Sequence, residues 1–105
     1  MLNLTDHDIA IRTVDGRTIV LPPSGEVARI LTKKVRLGEV MGIPIFKRKF
    51  RGVRGIPKDK SIPIIVSNQV FSCITRPNMY APDTGRTAIR DLNDKVIAVT
   101  QLISK

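Results

Sequence analysis

The apolar residues of the chain fall in short runs that end at Gly, Pro or Asp, a pattern that predicts strands joined by turns. The clearest signal lies near the start, where residues 9–14 and 17–21 are rich in β-branched side chains and flank Asp15-Gly16. Asp-Gly between two such runs is typical of a two-residue type I′ turn. The sequence therefore predicts a β-hairpin over residues 9–21.

A longer pair of strands is predicted over residues 26–37 and 43–51, with Met41-Gly42 as a weaker turn between them. Because side chains alternate along a strand, the second strand has one cationic side and one aromatic side. The first set is Lys47, Lys49 and Arg51, and the second is Phe46, Arg48 and Phe50. We expect the aromatic side to be partly buried. Together with Arg54, the cations Lys47, Lys49 and Arg51 form the predicted basic surface.

The middle of the chain combines a buried strand with a short helix. Residues 62–66 are mostly apolar, and Ser67 follows them as a good helix N-cap. The apolar residues that recur at helical spacing after this cap are Val70, Phe71 and Ile74. Two turns of helix are therefore predicted before Pro77.

A hairpin closes the chain, with strands over residues 87–91 and 96–103 and a turn over residues 92–95. Together these elements predict an α+β, mostly β fold. Its architecture is expected to be a bent antiparallel sheet or a small open barrel of six or seven strands with one short helix. Residues 1–105 are expected to form a single domain.

Composition predicts a small protein with an aliphatic core. Hydrophobic residues make up 42% of the chain, but aromatic residues only 4%, so the core must consist of Val, Ile and Leu. The single cysteine, Cys73, excludes an internal disulfide framework and is expected to be a small core residue. Asp6 and Asp8 stand where a signal peptide needs cations, and no apolar run approaches the length of a membrane span. We therefore expect a soluble cytoplasmic protein without membrane contact.

Positive charge dominates the chain, and it is concentrated in one segment. The net charge is +9, and residues 33–60 hold ten Lys or Arg against Glu39 and Asp59. A basic field this local concentrates phosphates, nucleotides or nucleic acids. The alternative is a solvated edge strand whose lysines prevent pairing with other strands.

The residues do not predict an enzyme. Asp83-Thr84-Gly85 matches the aspartic-protease triplet, but that chemistry needs two carboxylates that share a proton. A turn in which Asp83 bonds to its own backbone is the simpler interpretation. One His and one Cys make no set of metal ligands, and no Gly-rich phosphate loop precedes a helix. We expect no catalytic residues, no metal and no cofactor.

A more selective anion site is predicted outside the basic surface. Four arginines lie beside turns or apolar segments, where a guanidinium can bind phosphate through two hydrogen bonds: Arg29, Arg76, Arg86 and Arg90. The hydroxyl of Ser67 would add a donor. Asp83 is then expected to orient Arg76 or Arg90 towards the ligand. Alternatively, Arg76 and Arg90 pair with Asp83 and Asp91 and only fix the loop.

Several motifs together resemble a family of small phage and prophage proteins. They are Leu2-Asn3-Leu4-Thr5, Leu21-Pro22-Pro23-Ser24-Gly25-x-Val27-Ala28-Arg29, Gly42-Ile43-Pro44, Ile65-Val66-Ser67 and Ala81-Pro82-Asp83-Thr84-Gly85-x-x-Ala88-x-Arg90-Asp91. Members of that family are mostly hypothetical proteins, and the resemblance implies a gene that helps a phage against bacterial immunity. Many members have an acidic or mixed segment where this chain has Lys47-Arg48-Lys49. The resemblance therefore implies a ligand site made of Ser24, Arg29, Ser67, Arg76, Asp83, Thr84, Gly85 and Arg90.

Three functions follow as hypotheses. The leading one is a non-enzymatic phage or prophage inhibitor of bacterial immunity that binds and sequesters an anionic nucleotide-like signal in the host cytoplasm. The alternative is a basic macromolecular inhibitor similar to anti-CRISPR proteins, or a protein that binds nucleic acid or nucleoprotein through residues 33–60. An accessory protein of the virion is the third. A homo-oligomer would suit the first, since sites for small signals often lie between subunits.

Overall fold

The computed structural model describes all 105 residues, which form ten strands and one short helix. In chain order the elements are β1 (Leu2–Asn3), β2 (Ile9–Arg12), β3 (Thr18–Leu21), β4 (Arg29–Val40), β5 (Ile43–Arg54), β6 (Ile64–Ile65), α1 (Asn68–Cys73), β7 (Met79–Pro82), β8 (Ile89–Arg90), β9 (Val96–Ala98) and β10 (Leu102–Ser104). They group into one four-stranded sheet and three two-stranded hairpins.

The four-stranded sheet is the centre of the molecule. Its strand order is β1-β6-β7-β10, in which β6 is parallel to both of its neighbours and β10 is antiparallel to β7. Strand β6 is only two residues long, and the side chains of Ile64 and Ile65 are both fully buried. A strand that is covered on both faces is apolar throughout, which explains why residues 62–66 show no polar alternation.

Two hydrophobic clusters form the core, one on each face of β6. Ile64 and Val66 belong to the larger cluster and Ile65 to the smaller, as alternation along a strand requires. The other buried members of the larger cluster are Leu4, Ala28, Val70 and Met79, and those of the smaller are Ile9 and Val99. The core is therefore almost wholly aliphatic, as the composition predicts. We refer to the four-stranded sheet, its flanking elements and this core as the body.

A buried polar network fixes the chain beside β1. The side-chain amide of Asn3 donates to the carbonyl oxygens of His7 and Leu21, and both donor–acceptor distances are 2.9 Å. Its oxygen accepts from the backbone amide of Thr5 at 3.0 Å and from the Thr5 hydroxyl at 2.6 Å. A buried polar side chain is costly unless it is hydrogen-bonded, and Asn3 is fully bonded. It therefore holds residues 3–7 against the end of β3.

The first hairpin, β2 with β3, has the predicted position but not the predicted turn. The backbone amide of Thr13 donates to the carbonyl oxygen of Arg17 at a distance of 2.8 Å. The loop between these two residues therefore has three residues, 14–16. Only Gly16 has a positive φ, at 86°, whereas a type I′ turn needs two such residues. The prediction of a two-residue turn is therefore wrong, and the loop is the three-residue kind in which glycine takes the left-handed position.

The second hairpin is much longer, and we refer to its residues, 29–54, as the arm. Strands β4 and β5 are each twelve residues long and pair antiparallel from end to end. Met41 (φ 55°) and Gly42 (φ 77°) connect them, and two consecutive positive φ angles define a type I′ turn. The left-handed region is unfavourable for a methionine. The tip therefore holds a residue that its own turn geometry disfavours.

Gly55 allows the chain to leave the arm close to the segment that enters it. A Cβ atom at this position would lie 2.4 Å from the carbonyl oxygen of Val27, and Gly55 has a φ of 82°. Both the contact and the backbone conformation therefore require glycine. This close approach joins the base of the arm to the body.

Helix α1 begins at the predicted cap, where the Ser67 hydroxyl accepts a hydrogen bond from the backbone amide of Val70 at 3.3 Å. Val70 is buried and Ile74 is partly buried, in agreement with the predicted apolar face. Cys73, however, is exposed, so the prediction that it is a core residue is wrong. The helix ends at Cys73, and Ile74 takes the position four residues after Val70 that faces the core.

The predicted fold class, α+β and mostly β, is confirmed. The strands nevertheless divide into four small sheets, none of which closes into a barrel, and the central sheet contains parallel pairs. Residues 96–103 were expected as one strand, but β9 ends at Ala98 and β10 joins β7 instead. The one helix, six residues long, falls short of the length and apolar character that crossing a bilayer requires.

Candidate functional site

The arm is the part of the chain that the body leaves uncovered. At its base, Ile30 and Val53 pack against the larger core cluster, but every residue in the range 39–51 is exposed. The molecule accordingly measures 57 Å along its longest axis, against 39 and 24 Å along the others. A two-stranded hairpin by itself is only marginally stable in water, so an uncovered ribbon of this length indicates a surface for contact.

The arm carries nearly all of the net charge. Its nine cations are Arg29, Lys33, Lys34, Arg36, Lys47, Arg48, Lys49, Arg51 and Arg54, and its only carboxylate is Glu39. One ion pair neutralises part of this charge, between the guanidinium of Arg36 and the Glu39 carboxylate at 2.7 Å. The arm therefore contributes +8 to a net charge of +9.

Three pairs of cations lie directly opposite each other across the two strands. The register places Lys33 opposite Lys49, Lys34 opposite Arg48, and Arg29 opposite Arg54. Like charges at directly opposed positions destabilise a β-hairpin, because their Cβ atoms are only about 5 Å apart. Lysines that merely protect an edge do not need this arrangement. The opposed pairs therefore indicate a surface that meets negative charge.

Both faces of the arm are cationic, and one of them also carries aromatic rings. Opposed residues share a face, so Lys33, Val35, Lys47 and Lys49 form one side of the ribbon. The other side has Thr32, Lys34, Arg36, Phe46, Arg48 and Phe50. The two phenylalanines are 52% and 49% exposed. They were expected to be partly buried, and about half of each ring is in water because no element of the body packs on either face.

The predicted basic surface lies along the second strand of the arm. Lys47 and Lys49 share a face, as predicted. Arg51 is the extra residue of a β-bulge, between the pairs Leu31–Gly52 and Thr32–Phe50, so it interrupts the regular alternation. Arg54 lies at the base. Sequence reasoning placed these residues correctly on one strand and counted the cations of β4 in the basic segment 33–60, but it did not predict that the cations of the two strands lie opposite each other.

The tip of the arm is apolar and free of cations. Val40 and Ile43 are exposed on either side of the turn, and Met41 is 94% exposed. Pro44 follows in β5, opposite Glu39. The nearest cations along the two strands are Arg36 and Lys47. The arm thus ends in an exposed apolar segment of residues 40–44.

The eight residues of the predicted ligand site do not share one cavity. Arg29 and Ser67 line the same open cleft, of about 400 Å³, together with Asp6 and Gln69. Three other residues of the predicted site each line a separate cleft. Ser24 lines a cleft beside Gly55, Arg76 lines one beside Lys58 and Lys60, and Thr84 lines one beside His7 and Val99. One cavity therefore contains only two of the eight, Arg29 and Ser67.

Hydrogen bonds within the body occupy the loop of residues 83–94. Asp83 accepts from the amide of Gly85 at 3.0 Å and from the side-chain amide of Gln101 at 2.6 Å. The bond from Gln101 lowers the pKa of Asp83 most, and the bond from Gly85 adds to the effect. The guanidinium of Arg90 donates to the carbonyl oxygens of Thr84 and Asp94, at 2.9 and 2.8 Å.

Asp83 therefore does not orient an arginine, and that expectation is wrong. It fixes its own turn and the segment before β10, whereas Arg90 is held by backbone carbonyls. Arg76 is also held within the body, because its guanidinium donates a hydrogen bond to the carbonyl oxygen of Asp59 at 2.9 Å. The interpretation that Arg90 fixes the loop is supported, although its partners are carbonyl groups and the carboxylate of Asp94, at 3.7 Å, rather than Asp83 or Asp91.

Arg29 and Arg54 form a second cationic feature, at the base of the arm. They lie directly opposite each other and line one open cleft of about 370 Å³, with Gly25, Glu26 and Gly55 on its other sides. Neither arginine makes an ion pair. Two free guanidinium groups beside one cleft could bind a small anion. The carboxylate of Glu26 in the same cleft opposes this.

No three His, Cys, Asp or Glu side chains lie close enough to hold a metal ion. Comparison of the chain with models of protein families, with curated proteins and with solved structures finds no match. The functional interpretation therefore depends on the geometry and charge of the chain itself.

Three features of the arm escaped sequence reasoning: the opposition of cations across its two strands, the lack of any cover on either face and the apolar tip. One signal could have revealed them. Neither strand beside Met41-Gly42 has a regular apolar face, since Lys33-Lys34 and Lys47-Arg48-Lys49 place cations at consecutive positions. A strand that packs on a core cannot do this, so both strands had to leave the body.

Proposed function

We propose that the chain binds double-stranded DNA and that the arm is its binding surface. The observation that carries this proposal is the set of three directly opposed cation pairs on an uncovered ribbon. Each pair is unfavourable in the free protein, and phosphates beside it remove the repulsion. Binding then releases the counterions that the duplex had condensed, which is the main source of affinity for a basic surface.

The dimensions of the arm suit a groove of DNA. A ribbon of eleven residue pairs rises about 36 Å, and the major groove, about 12 Å wide, admits a two-stranded ribbon. A ribbon within a groove has a phosphate backbone on each side, so cations on both of its faces and edges are useful. The deep, narrow major groove of an RNA duplex does not admit such a ribbon.

The resemblance to small phage proteins supplies a setting for this binding. A phage protein that covers DNA, or the DNA-bound part of a nucleoprotein, would deny that surface to a defence complex of the host. The proposal thus corresponds to the nucleic-acid hypothesis drawn from the sequence, with the arm in place of the broader segment 33–60. Lys58 and Lys60 belong to that segment but lie outside the arm.

The test is titration of a fluorescently labelled duplex of about 30 base pairs, read by anisotropy between 50 and 200 mM salt. One variant replaces Lys33, Lys47 and Lys49 of the arm with Ala. The control replaces Lys58, Lys60 and Lys95 of the body with Ala, which removes the same charge. We expect the arm variant to lose affinity by at least about tenfold and its salt slope to fall by about 2 to 3, whereas the control changes little.

Equal losses in the two triple variants would mean that only net charge attracts the duplex, and would contradict a binding role for the arm. Absence of binding by the unaltered chain at 50 mM salt would reject the proposal altogether. Preference for a single strand over a duplex would point instead to stacking on Phe46 and Phe50.

A second candidate function is binding of a small anionic nucleotide at the base of the arm. It is favoured by one observation, the free guanidinium groups of Arg29 and Arg54 beside a common cleft. Calorimetric titration with a panel of cyclic nucleotides and ADP-ribose derivatives tests it. Arg29→Ala should abolish such binding while leaving duplex affinity within about threefold, since it removes one cation of nine. No heat with any member of the panel would remove this candidate.

A further inference from the structure

We propose that the apolar tip of the arm, residues 40–44, is a wedge that enters between stacked base pairs and kinks the bound DNA. This inference rests on the proposed binding of DNA, but it concerns a different property, the shape of the bound duplex. The two can fail separately, because a duplex can be bound without being bent.

The composition of the tip changes abruptly relative to the rest of the arm. Cations occur in both strands as far as Arg36 and Lys47, and beyond them the side chains are apolar apart from Glu39. Val40, Met41 and Ile43 are exposed, and no part of the body covers them. Apolar side chains at the end of a basic surface suit the interior of a base stack, where there is no phosphate to neutralise.

The residue at the turn supports a role for its side chain. A type I′ turn favours Asn-Gly, and Asn would occupy the left-handed region at lower cost than methionine. Met41 has this conformation, with φ 55°, and almost its whole side chain is in water. Neither turn geometry nor burial favours it there, so a contact made by the side chain is the remaining physical reason. A methionine is flexible and polarisable, which suits insertion between bases.

A lipid surface would also accept an apolar tip followed by cations, but the length of the arm argues against it. The cations extend over about 24 Å, from Arg36 and Lys47 back to Arg29 and Arg54 at the base, and this basal pair lies about 36 Å from the tip. If the tip entered a bilayer, the basal pair would lie several Debye lengths from the headgroups and contribute little. If the arm lay flat on the bilayer, one cationic face would point to solvent. A duplex that runs along the ribbon contacts all of these cations.

The experiment measures end-to-end energy transfer in a duplex of about 30 base pairs, labelled at both ends, with a central TA step that is easily unstacked. The variant Met41→Asn removes the wedge and gives the turn its preferred Asn-Gly sequence, so it should not unfold the arm. The matched control is Leu92→Asn, which makes the same chemical change at a fully exposed position in a turn of the body.

We expect the unaltered chain to raise energy transfer, as a kinked duplex brings its ends together, and Met41→Asn to bind without this rise. Affinity should change by less than about tenfold in Met41→Asn, because the gain from burying methionine and the cost of unstacking bases oppose each other. Leu92→Asn should match the unaltered chain in both measurements.

Two results would overturn the wedge while leaving the proposed function intact: binding of the duplex without a rise in energy transfer, or an equal rise with Met41→Asn. Failure to bind the duplex would overturn both. A third result would also overturn the wedge. If the chain bound vesicles of anionic phospholipid, if Met41→Asn abolished that binding, and if the duplex stayed unbent, the tip would be a membrane contact.

Discussion

The body and the arm of this chain differ in how they treat apolar and charged side chains. In the body, short strands bury aliphatic side chains on both faces of β6, and the polar groups of Asn3 are fully hydrogen-bonded. In the arm, two long strands bury almost nothing, and like charges face each other three times. The body is therefore arranged for its own stability, whereas the arm contributes little to it, which is consistent with the proposed role of the arm in binding.

This contrast separates stability from binding within a chain of 105 residues. Changes in the body should alter the free energy of unfolding and leave the affinity of the folded protein unchanged. Changes in the arm should alter affinity and should affect the free energy of unfolding by no more than about 1 kcal/mol. Five experiments test that separation, beginning with the largest expected effect.

The first compares two apolar truncations, Ile64→Ala in the body and Leu37→Ala in the arm. Ile64 is fully buried in the larger core cluster, so its truncation should cost about 2–5 kcal/mol of stability. Leu37 is exposed, and its truncation should change stability by less than about 0.5 kcal/mol. Denaturant titration measures both. A comparable loss in the two variants would mean that the arm packs against a surface in the free protein.

The second removes the arm. Replacing residues 32–51 with Asn-Gly joins Leu31 to Gly52, which already lie opposite each other, through a two-residue turn. The body should remain folded, because both core clusters lie outside the deleted residues. Duplex affinity should fall by at least about a hundredfold, since seven of the nine cations of the arm are lost. Circular dichroism checks folding and anisotropy checks binding, and retained affinity would contradict the proposed function.

The third alters the junction between the two regions, with Gly55→Ala. The added Cβ would meet the carbonyl oxygen of Val27 at 2.4 Å and impose an unfavourable φ, which should cost about 1–3 kcal/mol. Gly38→Ala is the control, because Gly38 also has a positive φ, at 147°, but faces open space. Thermal unfolding should show the larger loss for Gly55→Ala. Equal losses would mean that backbone strain, rather than the contact with Val27, decides the effect.

The fourth reverses one charge within the arm, by Lys33→Glu. The new carboxylate faces Lys49 and converts a repulsive pair into an attractive one, which should stabilise the hairpin by about 0.2–1 kcal/mol. Slower amide hydrogen exchange in the arm at low salt would report this gain. Duplex affinity should fall at the same time. Lys58→Glu in the body is the control, and a gain in both stability and affinity would contradict the view that the repulsion serves binding.

The fifth and smallest effect concerns Asp83→Asn and pH. The pKa of Asp83 is lowered in the folded chain, so its carboxylate stabilises the fold above the ordinary value of 3.8, and this contribution is lost as the pH falls below it. Asp83→Asn should therefore be slightly less stable near pH 7 and approach the unaltered chain near pH 3. Melting temperatures across this range measure the difference. Asp8→Asn is the control, since the exposed Asp8 lies outside the hydrogen bonds that Asp83 accepts from Gly85 and Gln101, and an equal effect there would contradict the role of Gln101.

Local signals in the sequence predicted local structure well. Ser67 as an N-cap, the positions of the two early hairpins and the fold class all depend on residues that are close in the chain, and all are confirmed, although the turn of the first hairpin differs. The parallel pairing of β1 with β6 was not predicted, because it joins residues 2–3 to residues 64–65. Two-residue strands give no period from which such a partner can be inferred.

The candidate site was predicted only in part. Lys47, Lys49, Arg51 and Arg54 do lie on an exposed basic strand, because a run of cations cannot be buried. Arg76, Asp83 and Arg90 looked equally suited to a ligand, but each makes hydrogen bonds within the body. The sequence shows which residues can bind a phosphate, and it does not show which of them are already engaged by distant backbone carbonyls.

The two β-bulges of the arm have a geometric consequence. Leu37 and Arg51 are each an extra residue on one strand, and such insertions increase the right-handed twist of a ribbon that already twists more than a wide sheet does. The cations on its faces therefore follow a winding path rather than a plane. A groove of the DNA double helix also winds to the right. In the proposed complex, a ribbon twisted in the same sense as the duplex can follow the groove, which a flat ribbon of identical charge would cross.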